Sequence, residues 1–239
     1  MYNPIKLGKK IREIVCKDVA RKYFRFRATR YYGGIATGDV VGCNLKCCYC
    51  YVYQPRERPA EIGRFYTPEE VANILVKIAK RNNFNKVRLS GGEPTLCKEH
   101  LLKLLELIPS QFTFIVETNG ILLGYDKSYV KALSKFENIW VRVSLKGCIP
   151  EEFSKITGAK PEAFKYQLLA LKHCIEFGVQ CYPAILLDVV DKKNLPLLKK
   201  RLDEIDPRLW HEMDTSETLL LYPHVKERMR KAGLLNTLS

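Results

Sequence analysis

The sequence predicts an α/β fold: a parallel sheet curled into an incomplete barrel, with an added N-terminal helix. Three observations carry this. Strand-like and helix-like segments alternate about six times, which implies parallel strands joined by right-handed crossovers. Six units, against the eight of a closed barrel, leave one side open. Glycine-rich and polar segments fall where the strands end, the end at which such folds gather their chemistry. The chain has 239 residues and no linker, low-complexity tract or repeat, so one domain over 1–239 is the simplest account. Within it, 1–30 reads as a basic extension and 31–239 as the partial barrel.

The elements follow in order. Ile11, Ile14, Val15 and Val19 keep helical spacing, predicting a helix over 5–23 with a basic outer face. "GGIATGDVVG" is β-branched and bounded by glycines, so it reads as a strand, and a cysteine loop follows it. "TPEEVANILVKIAKRN" opens a helix with Thr67 as N-cap, Pro68 at the first helical position and Glu70 three residues after the cap. Strand "KVRLS" ends in "GGEP", helix "KEHLLKLLELI" follows, and strand "FTFIVET" ends in "NG". Helix "KSYVKALSKF" and strand "IWVRVSLK" come next, then a helix closed by Gly178. Strand "VQCYPAILL", helix "NLPLLKKRLDEI", a last strand "SETLLLY" and a last helix "HVKERMRKAG" complete the pattern. Alternation sorts the faces of "IWVRVSLK": Val141, Val143 and Leu145 toward the helices, Arg142, Ser144 and Lys146 into the lumen. A basic, polar lumen predicts a bound polar or anionic ligand.

Composition narrows the class. Hydrophobic residues make up 46% and charged residues 28%, an ordinary globular balance. No run of eighteen apolar residues predicts a membrane span, and "MYNPIKLGKK" lacks the apolar stretch of a secretory signal. A cytoplasmic protein with reduced thiols is the expectation. Nine cysteines, an odd number, argue against a fully paired disulfide framework. The net charge of +14 raises the expectation of nucleic acid or another acidic partner, against the plain alternative of a solvated basic surface. "KDVARKYFRFRATR", where aromatics interleave with arginines, is the densest basic stretch.

Four of the nine cysteines fall in "GCNLKCCYCY". Cys43, Cys47 and Cys50 form C-x3-C-x2-C, with Tyr49 before the third. Structural zinc usually takes four ligands from paired knuckles, and no second C-x-x-C occurs. Three thiolates on one loop suit a cubane cluster with one iron open. Spacing favours the cluster and leaves zinc or a structural role as alternatives.

"CNLKCCYC" resembles the signature loop of the radical S-adenosylmethionine enzymes. "SGGEP" at 90–94 resembles the family's second motif, which holds the amino group of the cofactor's methionine portion. "ETNG" at 117–120 and "SLKG" at 144–147 resemble strand-end motifs of the pyruvate formate-lyase activating enzyme branch. The resemblance covers residues 35–190 and implies a partial (β/α)6 barrel. It implies a [4Fe–4S] cluster on Cys43, Cys47 and Cys50, with S-adenosyl-L-methionine chelating the fourth iron. One electron, from a flavodoxin- or ferredoxin-type donor, then splits the sulfonium, and the 5′-deoxyadenosyl radical takes a hydrogen atom from the substrate.

The resemblance also implies roles for further residues. Gly91 and Gly92 let the backbone approach the ligand, Glu93 accepts from the α-ammonium, and Pro94 stiffens the turn. Tyr49 lies near the adenine, Lys146 pairs the carboxylate, and Glu117, Asn119 and Ser144 face the lumen. Ser144 stands where the activating enzymes carry an aspartate associated with a cation.

Other groups read more plainly. Cys48 is a bystander, and Cys16, Cys174 and Cys181 are small core residues. Cys97 and Cys148 follow strand-end motifs, where a site role is the minor reading. Asp188 stands open between capping and function. Three functions remain: radical chemistry on a protein or peptide, as in the activating enzymes; radical chemistry on tRNA or a nucleotide-derived substrate; and a non-catalytic electron carrier. The last needs no cofactor cradle, which "SGGEP" and "ETNG" supply.

Overall fold

A computed structural model describes residues 1–235. Asn3 caps α1 (Pro4–Val15), its side-chain oxygen accepting from the N–H groups of Ile5 and Lys6. The helix stops eight residues short of the sequence expectation. Cys16 is already extended, and Asp18 adopts a left-handed φ of 51° that turns the chain back. β1 (Cys16–Lys17) and β2 (Ala20–Thr29) follow, paired antiparallel. The aromatics of "KYFRF" suit a pleated surface better than a helix, and Val19, assigned by spacing to the helix's apolar face, is 48% exposed.

β3 (Ile35–Val40) is buried along its whole length and leads into the cysteine loop. Then come α2 (Tyr53–Glu57), β4 (Arg64–Tyr66) and α3 (Pro68–Arg81), the last opened by the expected capping box of Thr67 and Glu70. β5 (Lys86–Gly91), α4 (Lys98–Leu107) and β6 (Thr113–Thr118) follow. Next are α5 (Ile121–Tyr125), α6 (Lys127–Leu133), β7 (Ile139–Leu145), α7 (Pro150–Thr157) and α8 (Phe164–Glu176). β8 (Gln180–Ile185), α9 (Leu195–Asp203), α10 (Arg208–His211) and α11 (Pro223–Lys231) complete the order.

The sheet has eight strands in the order β1-β2-β3-β5-β6-β7-β8, with β4 beside β2. β3, β5, β6, β7 and β8 are parallel, forming the half-barrel, and β2 extends it antiparallel. Residues 20–29 therefore belong to the barrel sheet rather than to a separate extension. The expected last strand at 216–222 is absent: the segment is irregular, and Leu220 and Leu221 are 41% and 42% exposed. A single parallel bridge, Ala184 to Asp214, marks the place a sixth parallel strand would occupy.

Face sorting holds. Val116, Val141 and Val143 join Leu75, Leu101, Leu104 and Leu171 in the core between sheet and helices. Register sets Glu117 beside Arg142 and Asp39 beside Ser90. Among the described residues no helix is long and apolar enough to cross a membrane.

Two cysteines depart from expectation. Cys16 and Cys97 are joined in a disulfide with Cα atoms 5.9 Å apart, tying the end of α1 to the segment just after "GGEP". Neither a core thiol at 16 nor a site role at 97 survives this. The other seven cysteines are free.

Candidate active site

The parallel strands end at one mouth, and the cysteine loop crosses it. Cys43, Cys47, Tyr49 and Cys50 line a cavity of about 190 Å³ together with Gly91, Gly92, Glu93, Glu117, Asn119, Ser144 and Lys146. The site residues that the resemblance implies thus line one space, except Pro94, which is buried.

The glycines serve the protein's own backbone. Gly91 has φ +90°, and a Cβ on Gly92 would sit 2.2 Å from the carbonyl oxygen of Gly42. Gly92 N–H donates to Val40 O and Glu93 N–H to Gly42 O, both at 2.8 Å, so the turn is laced to the cysteine loop. Close approach at Gly92 is therefore to this loop, where the sequence suggested a ligand.

Glu93 also differs from expectation. Its carboxylate is buried and engaged inside the protein. Oε1 accepts from Thr95 N–H at 3.1 Å, Thr95 Oγ1–H at 2.7 Å and Thr118 Oγ1–H at 2.6 Å, and Oε2 accepts from Asn119 N–H at 2.8 Å. It joins the ends of β5 and β6, and its one-sided use leaves acceptor capacity on Oε2. Behind it lies Arg21, fully buried, whose Nη2 donates to the Glu93 carbonyl at 2.7 Å.

Gln167 on α8 organises the far wall. Its Nε2 donates to the carbonyls of Asn119 at 2.7 Å and Ser144 at 3.0 Å, and its Oε1 accepts from Lys146 N–H at 3.0 Å. Lys146 Nζ donates to Ser144 Oγ at 2.6 Å and lies 5.5 Å from the centre of the Tyr49 ring. Burial works against its charge, but Tyr49, Cys47 and Glu217 outweigh it and raise the ammonium's pKa. Arg56 Nη1 donates to Cys47 O at 2.7 Å, and Arg228 donates to the carbonyls of Cys48 and Cys50, so the loop is held from two sides. Arg21, Arg56, Gln167 and Arg228 were not legible in sequence, since none belongs to a short motif.

A larger cavity of about 590 Å³ adjoins the first, sharing Tyr49, Tyr51, Ser90, Glu117, Arg142 and Glu217. Glu117 sits at the seam. It accepts from Arg88 Nη1 and Ser90 Oγ–H at 2.5 Å and from Tyr32 O–H at 2.6 Å. Burial would push its carboxyl up, but Arg88 and Arg142 hold it below the usual range. Asp188 lies outside both cavities, with Oδ2 accepting from Leu219 N–H.

The donor set fits an iron–sulfur group. Burial, followed by the carboxylate of Glu93, pushes the Cys43 thiol up, so deprotonation there calls for a cation. Leu45 N–H at 3.4 Å and Asn119 Nδ2 at 3.8 Å donate to Cys43 Sγ, the hydrogen bonding that stabilises a thiolate ligand. Among the described residues no group of His, Cys, Asp and Glu is arranged around a single ion. A cubane asks for something different, one thiolate at each of three irons. Asn44 Nδ2 is buried without a partner beside this loop.

Comparison with known proteins agrees with this chemistry. The sequence model of the Radical SAM superfamily matches residues 39–195, more than half of the chain, and the chain belongs to that superfamily. Membership implies S-adenosylmethionine and an iron–sulfur cluster as cofactors. Among curated relatives, the probable GTP 3′,8-cyclase of Thermococcus kodakarensis is 37% identical over 155 residues, 64% of this chain and 46% of its own length. The GTP 3′,8-cyclase of Mannheimia succiniciproducens is 30% identical over 174 residues, 71% of this chain and 48% of its own. The chain spans about half the length of these relatives. Among solved structures, HydG, a maturase of the [FeFe]-hydrogenase, aligns with a TM-score of 0.57 at 14% identity, covering 98% of this chain and 52% of HydG. Streptococcus suis SuiB bound to S-adenosylmethionine aligns at 0.54 and 24%, covering 70% of this chain and 38% of SuiB. These likenesses establish the fold, the incomplete barrel expected from sequence.

Proposed function

We propose that this protein is a radical S-adenosylmethionine enzyme acting on a nucleotide-derived substrate. The observation that carries the reaction class is the shared cavity: three thiols on one wall, the "GGEP" turn on the second, Asn119 and Lys146 on the third. Cys43, Cys47 and Cys50 would hold a [4Fe–4S] cluster, leaving one iron for the amino and carboxylate groups of S-adenosylmethionine. When bound and reduced by an electron donor, the cluster supplies the electron that splits the cofactor into methionine and a 5′-deoxyadenosyl radical, which takes hydrogen from the substrate.

The chain's own residues position these groups. Arg56 and Arg228 fix the thiol loop by its carbonyls. Glu93, engaged by Thr95, Thr118 and Asn119, fixes the strand ends and turns the free acceptor capacity of Oε2 toward an ammonium. Lys146, anchored through its backbone to Gln167, keeps an N–H group for a carboxylate. Tyr49 offers a ring beside the cofactor. The larger cavity, sharing the seam at Glu117, receives the substrate.

The nucleotide reading takes its support from the curated relatives, whose names carry a nucleotide, and from the +14 charge. The activating-enzyme reading lacks the aspartate at 144. Anaerobic turnover of reconstituted, dithionite-reduced protein tests the reaction class. Slow formation of 5′-deoxyadenosine is the expected result; its complete absence from a fully loaded sample would leave an electron carrier.

A further inference from the structure

The barrel interior and the chain as a whole differ in charge. The chain carries +14, yet the larger cavity sets two arginines, Arg88 and Arg142, against three carboxylates, Glu117, Asp214 and Glu217. Both arginines are engaged: Arg88 with Glu117 at 2.5 Å, Arg142 with Asp214 at 2.8 Å and Glu217 at 2.9 Å. A phosphate carried inside would meet an excess of carboxylate and, among the described residues of the lining, no unpaired cation. An uncharged planar group meets Tyr31, Tyr32 and Tyr182 instead.

Tyr51 lines this cavity and also an outer groove of about 360 Å³. Phe24, Arg25, Tyr53 and His224 line the groove as well. Arg25, half exposed and paired through Nε with Asp39 at 2.7 Å, lies 5.4 Å from the Phe24 centroid. Arg228, which holds the Cys48 and Cys50 carbonyls, backs the Tyr53 ring at 5.0 Å. His224 lies 5.3 Å from Tyr53 and stacks on Tyr222 with 4° between the planes. Tyr31, Tyr51, Tyr53 and Tyr222 are 65%, 46%, 41% and 50% exposed, an unusual showing of aromatic surface. The interleaved stretch "RKYFRFRATRYY" supplies Phe24 and Arg25 to this groove and Tyr31 to the cavity behind it. Exposed rings that can stack bases, beside a half-exposed guanidinium on a chain of net charge +14, are the elements of a single-strand groove.

We propose that this groove holds a single-stranded nucleic acid, with one uncharged base turned into the barrel cavity and the phosphates left outside. This rests on the radical S-adenosylmethionine reading and deepens it by naming the substrate class. The charge balance selects a base presented by a strand over a free nucleoside triphosphate, whose phosphates would follow it inside.

The test is fluorescence anisotropy on the anaerobically reconstituted 239-residue chain. The probes are a labelled mixed-sequence RNA of about 12 nucleotides, within the span such grooves cover, and the same sequence as DNA and as duplex. Single strands should bind in preference to duplex, and binding should weaken as salt rises. Tyr53→Ala should lose about tenfold or more in affinity, while Tyr53→Phe, which keeps the ring, should lose little. Preference for RNA over DNA would assign the strand as RNA through its 2′-hydroxyls; equal binding would leave stacking as the basis. Both variants should still cleave S-adenosylmethionine without any strand, which shows that they fold and hold the cofactors. No anisotropy change at low salt, or equal losses in the two variants, overturns the proposal. Displacement by poly-L-glutamate of equal total charge overturns it too and gives the groove to an acidic protein. Failure of binding with cofactor cleavage intact leaves the radical reading standing, whereas absent cleavage in the unmodified protein removes that reading and this one with it.

Discussion

Replacing Lys146 by Met isolates one charge in the site. The backbone of Lys146 is held by Gln167, so the strand end stays in place when the side chain changes. The ammonium has three N–H groups; one donates to Ser144 Oγ at 2.6 Å, and the Tyr49 side chain draws on it as well. One remains for the cofactor carboxylate, and no aspartate at 144 competes for it. A hydrogen bond to a charged group contributes about 1.5–3 kcal/mol, which corresponds to roughly a 10- to 150-fold loss in affinity. The methionine keeps much of the stem's contact with Tyr49, so lost packing contributes little. Anaerobic titration of S-adenosylmethionine into the variant, loaded with its full iron content, reads the dissociation constant. A value within twofold of the unmodified protein refutes the reasoning and makes Lys146 a residue that merely shields Tyr49.

Three further outcomes concern stability. His100 is buried between Tyr23 O–H at 2.8 Å and the Val19 carbonyl at 2.7 Å; the carbonyl requires a proton on Nδ1, so Nε2 accepts from the tyrosine. Burial lowers its pKa to about 4, against about 6.5 unfolded, so about 3 kcal/mol is complete above pH 6.5 and is lost as pH falls to 4. Urea midpoints of the apoprotein at both ends of that window read the effect, and His100→Gln should flatten it. Unfolding without reductant should expose seven free thiols against nine with it, and Cys16→Ser with Cys97→Ser should cost about 2–4 kcal/mol. Nine thiols in the unreduced sample would contradict the disulfide. Glu93→Gln sets an amide N–H against a donor now satisfied by the carboxylate and should cost about 1.5–3 kcal/mol in the same urea measurement.

The parts legible in sequence are those fixed by short-range geometry. The cysteine triplet and the Thr67 capping box each depend on spacing within a few residues: the three thiols line one cavity, and the box forms. The alternation of Arg142, Ser144 and Lys146 gave the lumen face because a strand's period is two. What was lost depends on partners far along the chain. The inward turn of Glu93 is set by Thr118 and Asn119, 25 and 26 residues away. Gln167 sits mid-helix, where nothing local marks it. Spacing overextends the first helix because Ile14 and Val19 keep apolar spacing while being 37% and 48% exposed. "SETLLLY" reads as a strand by propensity, yet beyond Asp214 it finds no partner edge, and its leucines stay out of the core.

The central claim is that Cys43, Cys47 and Cys50 hold a cluster with one iron open to S-adenosylmethionine. Electron paramagnetic resonance of the dithionite-reduced protein, recorded with and without that cofactor, tests it most directly. The account predicts a reduced [4Fe–4S] signal whose g-values shift on adding S-adenosylmethionine, and loss of both signal and iron in the Cys43→Ala, Cys47→Ala, Cys50→Ala triple variant. A signal that ignores the cofactor, or iron retained by the triple variant, would contradict it.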